Sequence, residues 1–582
     1  MIFDCRLSIA DRFRARQRAL ECGGLTPLLP PCWTFKHFEV SPPGSSWLPT
    51  SDFQLPGDSA LSVGRSALSV GRFRVNSRDV FQKLFALGNS YWLTRFIILR
   101  LVGFVYAVAF LVAAQQLVPL IGEHGLTPAD HFLASVQTQL GSRTAGILRV
   151  PTLFWLGISD HGMLIFAWVG FALSFIVLAG YANAIILSIL WVMYMSIVHI
   201  GQIWYGYGWE IQLLETGFLS IFLCPLLDGR PFPKCRPPIL VFWLFRWLGF
   251  RIMVGAGLIK LRGDPCWRDL TCLAYHYETQ PIPSPISRYL HFAPLWFHKI
   301  ETAWNHFIEL VVPWFSFGPR RARHVAGVLL VTFQIFLIVS GNLSFLNYLT
   351  IIPFLACFDD TFLRHFLPSA LVRRAERAAE ESEPSRINNM VAFALSVVVV
   401  YLSVAPVLNL VSGRQLMNYS YDPLDLVNTY GAFGSVGRER DEIIFEGTDD
   451  TLITGDTKWK EYEFKAKPGD PNQRPPFVAP YQPRIDWQIW FAAMASPAEY
   501  PWTLHFVWKL LHNDRGTLSL LANNPFPDAP PHYIRARLYR YQFAPIGDKA
   551  WWKRERIGEW LPALDANDPQ FRRLLEAMDW LD

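Results

Sequence analysis

LFRWLGFRIMVGAGLIKLRGDPCWRDLTCLAYHYETQPIPSP, residues 244–285, starts inside an apolar run and ends in a loop dense with charge and aromatic rings. The run extends back to Ile239 and forward to Ile259, which is about the 20 residues needed to cross bilayer hydrocarbon as a helix. It carries two arginines, Arg246 and Arg251, and it stops at Lys260, Arg262, Asp264, Trp267, Arg268 and Asp269, with His276, Tyr277 and Glu278 following. A spanning helix that meets a polar surface at its end has this pattern.

Outward from this helix, similar segments lie near Phe96–Ala114, Met163–Gly180, Ala184–Ile200 and Ile211–Leu227. Others follow it near Ala303–Phe317, Val325–Gly341, Phe345–Phe358 and Met390–Val411. With Ile239–Ile259 they predict a membrane all-α polytopic bundle of about nine spanning helices; the short segments from Ala303 and Phe345 could instead be re-entrant. Loop charge orients the bundle. With the N-terminus inside, three of four inside connections are basic: Arg230, Lys234 and Arg236; Arg320, Arg321 and Arg323; Arg364, Arg373, Arg374, Arg377 and Arg386. An odd number of crossings then places the chain after Val411 on the non-cytoplasmic side.

Composition agrees. In the 582 residues, charged side chains are only 17% and apolar ones 51%, where roughly a quarter charged is usual. A net charge of +5 with no basic stripe argues against nucleic acid as a partner. Membrane lipids are the partner this composition implies. Eight cysteines are scattered without zinc spacing, and nothing calls for a metal or a cofactor. Cys266 and Cys272 are the one close pair, either two free thiols or, in an oxidising compartment, a disulfide.

The chain divides into three parts. Residues 1–90 lack helical periodicity and hold Pro clusters and a tandem heptapeptide, SALSVGR at Ser59–Arg65 and again at Ser66–Arg72. They lack a secretory-signal layout and read as disordered, or as translation from a mis-called start. Residues 91–411 are the spanning domain. Residues 412–582 read as a small α+β or mainly β domain with a Trp-rich surface: strands at Glu442–Glu446, Glu461–Lys467 and Tyr533–Phe543, and a helix near Trp502–His512.

Ionisable groups within spanning helices need a partner or a purpose. At ~1.5 Å per residue, Arg251, Glu215 and Glu309 lie roughly 12, 6 and 9 Å below the outer ends of their helices. The common depth predicts that Arg251 meets Glu215 or Glu309. Asn305, His306 and Glu309 project from neighbouring positions of one helix. Two purposes fit this set, polar glue between helices or a water-filled catalytic or transport cavity. The loop cluster Lys260–Glu278 equally fits a headgroup or partner site and a self-satisfied cap.

Several blocks then resemble one family. Residues 244–285, NHFIELVVPWF (Asn305–Phe315), SGNLSFLNYLTIIPFLACFDD (Ser340–Asp360) and VNTYGAFGSVGRER (Val427–Arg440) look like the lipase maturation factors. So do YEFKAKPGDPNQRPP (Tyr462–Pro476), the run Tyr481–Met494 and LLANNPFPDAPP (Leu520–Pro531). The resemblance spans roughly Ser90 to Leu561. It implies a membrane-resident folding factor that assists secreted client proteins, lipases in the animal members. There it sits in the endoplasmic reticulum membrane with its C-terminal domain in the lumen; in a bacterium the plasma membrane would take that place. The family brings no established catalytic residues, and none is expected here.

A G-x-S-x-G elbow, H-E-x-x-H and a Walker sequence are all missing. The alternative is an integral membrane enzyme, since the helical half also bears a fainter resemblance to vitamin K-dependent carboxylase-like domains. That reading assigns Lys260, His199 or His276 and the buried Arg/Glu set to a lipid or lipid-quinone pocket. Transport lacks the inverted repeat it would need.

Overall fold

The computed structural model describes residues 91–581; the expectations for residues 1–90 fall outside them. The helical half contains α1 (Trp92–Ile121), α2 (Asp160–Ala179), α3 (Ala184–Ile200), α4 (Gly208–Ile221) and α5 (Ile239–Arg262). It continues with α6 (Leu295–Leu310), α7 (Arg320–Ser340), α8 (Leu346–Leu355) and α9 (Arg386–Val411), which is interrupted at Ser403. Every apolar segment anticipated from the sequence contains a helix, although that of Ile211–Leu227 ends at Ile221, and length separates them. Among the described residues, five helices are long and apolar enough to cross a membrane: α1, α2, α5, α7 and α9.

Of the about nine spanning helices expected, five reach spanning length and the others are shorter. α4 has 14 residues and α8 has 10, about 21 and 15 Å of helix. Gly206 and Gly208 flank the start of α4, and the Ala303–Phe317 segment leaves α-geometry at Val312 and goes on as a 3-10 turn. α2, α7 and α9 are each only 28% buried over their most apolar stretch, so their other faces are free for lipid. α5 is 83% buried, and the other helices surround it.

The two ends of the bundle differ. At one end Asp360 accepts the backbone N–H groups of Trp92 (2.9 Å) and Leu93 (2.8 Å), capping the start of α1. Beside it Arg95 donates to the carbonyl of Cys235 (2.9 Å), and Asp359 pairs with Arg320 (2.7 Å) and Arg323 (3.3 Å). The three basic connections therefore gather at this end. At the other end Gln116, near the close of α1, donates to Tyr481 Oη (2.9 Å) and the Gln482 carbonyl (2.7 Å) of the C-terminal domain.

That domain is a small antiparallel sheet flanked by helices. A short ribbon of β1 (Tyr419–Ser420) and β2 (Asn428–Thr429) precedes it. The main sheet runs β4-β3-β5-β6, from β3 (Arg440–Thr448), β4 (Lys460–Glu461), β5 (Tyr533–Phe543) and β6 (Trp552–Leu564). Ile443 lies opposite Leu538 and Phe445 opposite Ala536; Phe445 packs edge-on against Phe506 of the helix Trp502–Leu511 at 5.1 Å. Alternation puts Arg440, Glu442 and Ile444 on the other face.

Two expectations fail here. The strand Glu461–Lys467 shrinks to Lys460–Glu461, because Ala466 and Lys467 turn their backbone N–H groups onto Asp486 (2.7 and 2.9 Å) instead of a ladder. The Trp-rich surface is inverted: Trp487, Trp502, Trp508, Trp552 and Trp560 are all buried.

Candidate functional site

The last two turns of α5 and the loop after them build the site. Two close backbone approaches set the geometry. A Cβ on Gly255 would sit 2.4 Å from the Tyr430 carbonyl oxygen, and one on Gly263 would sit 2.0 Å from that of Gly434. Only glycine lets the chain that follows α9 lie against α5 this closely.

Arg251 is 1% exposed. It forms an ion pair with Glu215 of α4 and donates to the Asn428 carbonyl at 2.7 Å. Glu215 also accepts from Tyr430 Oη (2.7 Å) and from the Asn428 backbone N–H (3.1 Å). Of the two carboxylates the sequence offered, Arg251 takes Glu215. Glu309 goes to Lys260, about two and a half turns further along α5, and accepts from Asn305 Nδ2 at 2.9 Å. Glu215, in the middle of α4, lies level with mid-α5, while the end of α6 packs at Gly257, against Glu309 and Leu310, nearer the end of α5. Arg246 binds neither; it donates to the Ala356 carbonyl and Tyr91 Oη, both at 2.9 Å.

The loop cluster divides by burial. Trp267 donates its indole N–H to the Phe433 carbonyl at 2.8 Å, and His306 meets the Trp267 carbonyl at 3.0 Å. His276 packs edge-on against Phe433 at 4.8 Å; burial, with nearby Lys260 adding to it, pushes its pKa down to about 4, so it is neutral at pH 7. Glu278 accepts the backbone N–H of Phe543, at the end of β5, at 2.7 Å. Cys266 and Cys272 are joined as a disulfide, Cα–Cα 4.8 Å. Arg262 and Arg268 remain exposed. Arg262 holds Gln415 (2.6 Å) and the Leu410 carbonyl (2.8 Å), and Arg268 holds the Leu261 carbonyl (2.8 Å). Asp264 pairs with Arg438 at 3.1 Å.

A continuous open binding surface is therefore not what this loop forms. Its inner members join the bundle to the C-terminal domain, and Arg262, Pro265, Arg268, Asp269 and Tyr275 are among the residues solvent reaches. Lys260, His199 and His276 do not share a pocket lining: Lys260 holds Glu309, His199 sits 3.3 Å from Asp425, and His276 is against Phe433.

Two further charged clusters of the joint were not singled out in the sequence. Arg484 and Glu210, both fully buried, pair at 2.8 Å, and Glu210 also takes the hydroxyl of Tyr194. Arg440 donates to the Glu278 and Pro281 carbonyls (2.9 Å each), to that of Gln280, and to Glu442 at 2.5 Å. Lys467 closes the set on Glu442 at 3.0 Å. Their signal was present: Glu210 sits five residues before Glu215 in an apolar helix, and Arg440 and Glu442 share one face of a strand.

Comparison with known proteins covers both halves. Residues 93–365 match the lipase maturation factor transmembrane domain, and residues 426–562 match the lipase maturation factor C-terminal domain. The chain is 49% identical to lipase maturation factor 1 of Bos taurus over 506 residues, 82% of this chain and 90% of that protein. It is 47% identical to the Homo sapiens protein of that name over 83% of this chain and 90% of the relative. Against lipase maturation factor 2 of Mus musculus it is 30% identical, over 82% of this chain and 83% of the relative. No solved structure matches it. With both halves matched in order, this multi-pass membrane protein belongs to the lipase maturation factor family.

Proposed function

We propose that the protein assists the maturation of secreted lipases, holding its C-terminal domain (412–582) on the non-cytoplasmic side of the membrane in which residues 91–411 are embedded. The observation that carries this is the near-50% identity to lipase maturation factor 1 across both domains. In a eukaryotic cell the membrane is that of the endoplasmic reticulum. The gathering of the basic connections at the end of the bundle away from the C-terminal domain supports the orientation. Five long helices cross, and α3, α4, α6 with its 3-10 extension, and α8 complete nine passages within the protein's own packing. The client-facing part of the loop is Arg262, Arg268 and Tyr275, beside Arg438, which stacks on Tyr275 at 4.5 Å.

The test is complementation. Cells lacking their own maturation factor would express this chain with a dimeric secreted lipase, and the specific activity of the secreted lipase would be measured. Recovery supports the reading. Normal accumulation of the chain with secreted lipase still inactive would sink it. Arg268→Glu with Tyr275→Ala should reduce the recovery severalfold without reducing accumulation. A reporter fused after Asp582 should be active only in its luminal or periplasmic form.

A further inference from the structure

The end of the bundle opposite the C-terminal domain carries arginines with no ion-pair partner among the described residues. The helix Ser369–Glu380 lies there, and its apolar stripe of Val372, Ala375 and Ala378 is buried. Its other side exposes Arg373, Arg374 and Arg377. The neighbouring acids are largely committed: Glu376 to Arg364 and Glu381 to Lys234, each at 3.1 Å, and Asp359 to Arg320 and Arg323. Glu380, exposed at the end of the helix, neighbours only Arg377 of the three, at i+3, and Glu383 lies beyond, where the chain bridges to Cys235. Arg373, Arg374 and Arg377 form no ion pair among the described residues; Arg377 reaches only the carbonyl of Arg373.

The level of this helix can be read from its neighbours. α7 and α9, two of the spans with free outer faces, both start at this end, with Arg320 and Arg386 as their first residues. Phe366 is 71% exposed just before the helix, and Ile387 is 73% exposed just after it. Apolar side chains beside unpaired guanidinium groups, at the start of lipid-facing helices, match the boundary between headgroups and acyl chains. There a planar guanidinium binds two phosphate oxygens while apolar neighbours stay out of water.

We propose that this helix is a docking surface for anionic phospholipid headgroups, with Arg373, Arg374 and Arg377 taking the phosphate or carboxylate oxygens and Phe366 entering the acyl boundary. A basic side chain at an anionic surface is worth roughly fivefold in binding at low salt. Three of them, screened and partly redundant, should enrich anionic lipid about tenfold over zwitterionic lipid.

The test uses the full chain in nanodiscs of phosphatidylcholine with a minor fraction of phosphatidylserine, counting lipids retained on release by native mass spectrometry. Wild type should retain phosphatidylserine about tenfold beyond its share of the disc, with the preference shrinking as salt rises. R373Q/R374Q/R377Q should lose most of it while keeping the wild-type melting temperature, since these side chains hold no other element among the described residues. E376Q should increase retention by freeing Arg364, a gain that misfolding cannot mimic. Equal retention by wild type and the triple variant, or none by wild type, overturns the proposal. Displacement of phosphatidylserine by inorganic phosphate would also overturn it, as a site for the free anion. None of these outcomes depends on lipase maturation.

Discussion

Arg251 and Glu215 offer the sharpest test of what the buried charges do. Arg251→Met keeps most of the volume but strands Glu215, which is 1% exposed. Removing one partner of a buried pair costs about 3–5 kcal/mol, because the remaining charge is uncompensated. Here the Tyr430 hydroxyl and the Asn428 N–H stay on the carboxylate, which puts the cost at the lower end. Glu215→Gln strands Arg251 instead, leaving it the Asn428 carbonyl and the face of Trp247, 5.5 Å away, for a similar loss. Simple addition would put the double variant at roughly 6 kcal/mol or more. With no charge left uncompensated, it should cost no more than either single change, a coupling of about 3 kcal/mol. Thermal unfolding of detergent-solubilised protein, followed by tryptophan fluorescence, reads this directly. Both singles should melt several degrees below wild type and the double no lower than the singles. A double variant that melts at the sum of the two losses would show that the residues act independently and that the pairing is not what stabilises the joint.

Gly263→Ala drives a methyl into the Gly434 carbonyl at 2.0 Å, backbone against backbone, and should cut accumulation sharply. Gly413→Ala, with nothing within 4 Å, should not; similar levels for the two would refute the close approach. Cys266→Ala with Cys272→Ala should cost about 2 kcal/mol by loop entropy, and alkylation of the unreduced wild-type protein should leave both thiols unlabelled. Asp486 is buried in the C-terminal domain, and burial pushes its pKa up to about 6, partly opposed by the N–H groups of Lys467 and Ala466. The folded state thus holds this proton more tightly than the unfolded one, so stability falls as pH rises from about 4 to 6, by roughly 3 kcal/mol. Asp486→Asn should remove that component and melt higher than wild type at pH 7, with the gain vanishing at pH 4; an equal gain at both would show that the carboxyl does not titrate in this window.

The helical half was legible because its signal is local: an apolar run either is or is not long enough to be helical in lipid. What the runs could not convey is which helices reach both surfaces. α4 and α8 are as apolar as the spans around them, and nothing in an apolar run marks that one of them stops after 14 residues and the other after 10. The C-terminal domain was harder for two opposite reasons. β6 is an edge strand with Lys553, Glu555 and Arg556 exposed, so it lacks the alternation that marks a half-buried strand. The helix Arg484–Ala492 is buried on nearly every side, so it has no polar face to give a period of 3.6. The helix Pro569–Ala577 was simply missed, although Asp568 and Pro569 form a regular N-cap and first turn. In the site, depth along the helices placed Arg251 with a carboxylate. The partners supplied by the other half, Arg484 for Glu210 and the carbonyls for Arg440, are hundreds of residues away and carry no local signal.

The charges of the joint come from both halves, and that bears on how the C-terminal domain can work. Arg440, Glu442, Lys467 and Arg484 are at most 4% exposed in the whole chain. Cut from the bundle, Arg484 would lose Glu210, and Arg440 would lose the carbonyls of Glu278, Gln280 and Pro281. A domain that swung away from the membrane would face the same loss, because each vacated carbonyl or carboxylate would have to be solvated or left unpaired. Several such contacts must break together, so hinge motion here is opposed far more strongly than at a flexible interdomain linker. The exposed residues beside the joint, Arg268, Tyr275 and Arg438, are consequently held at a fixed height and angle over the bundle. A client that docks there would meet a surface already ordered and would not have to supply the entropy of ordering it. The disulfide between Cys266 and Cys272 reinforces the same surface from within.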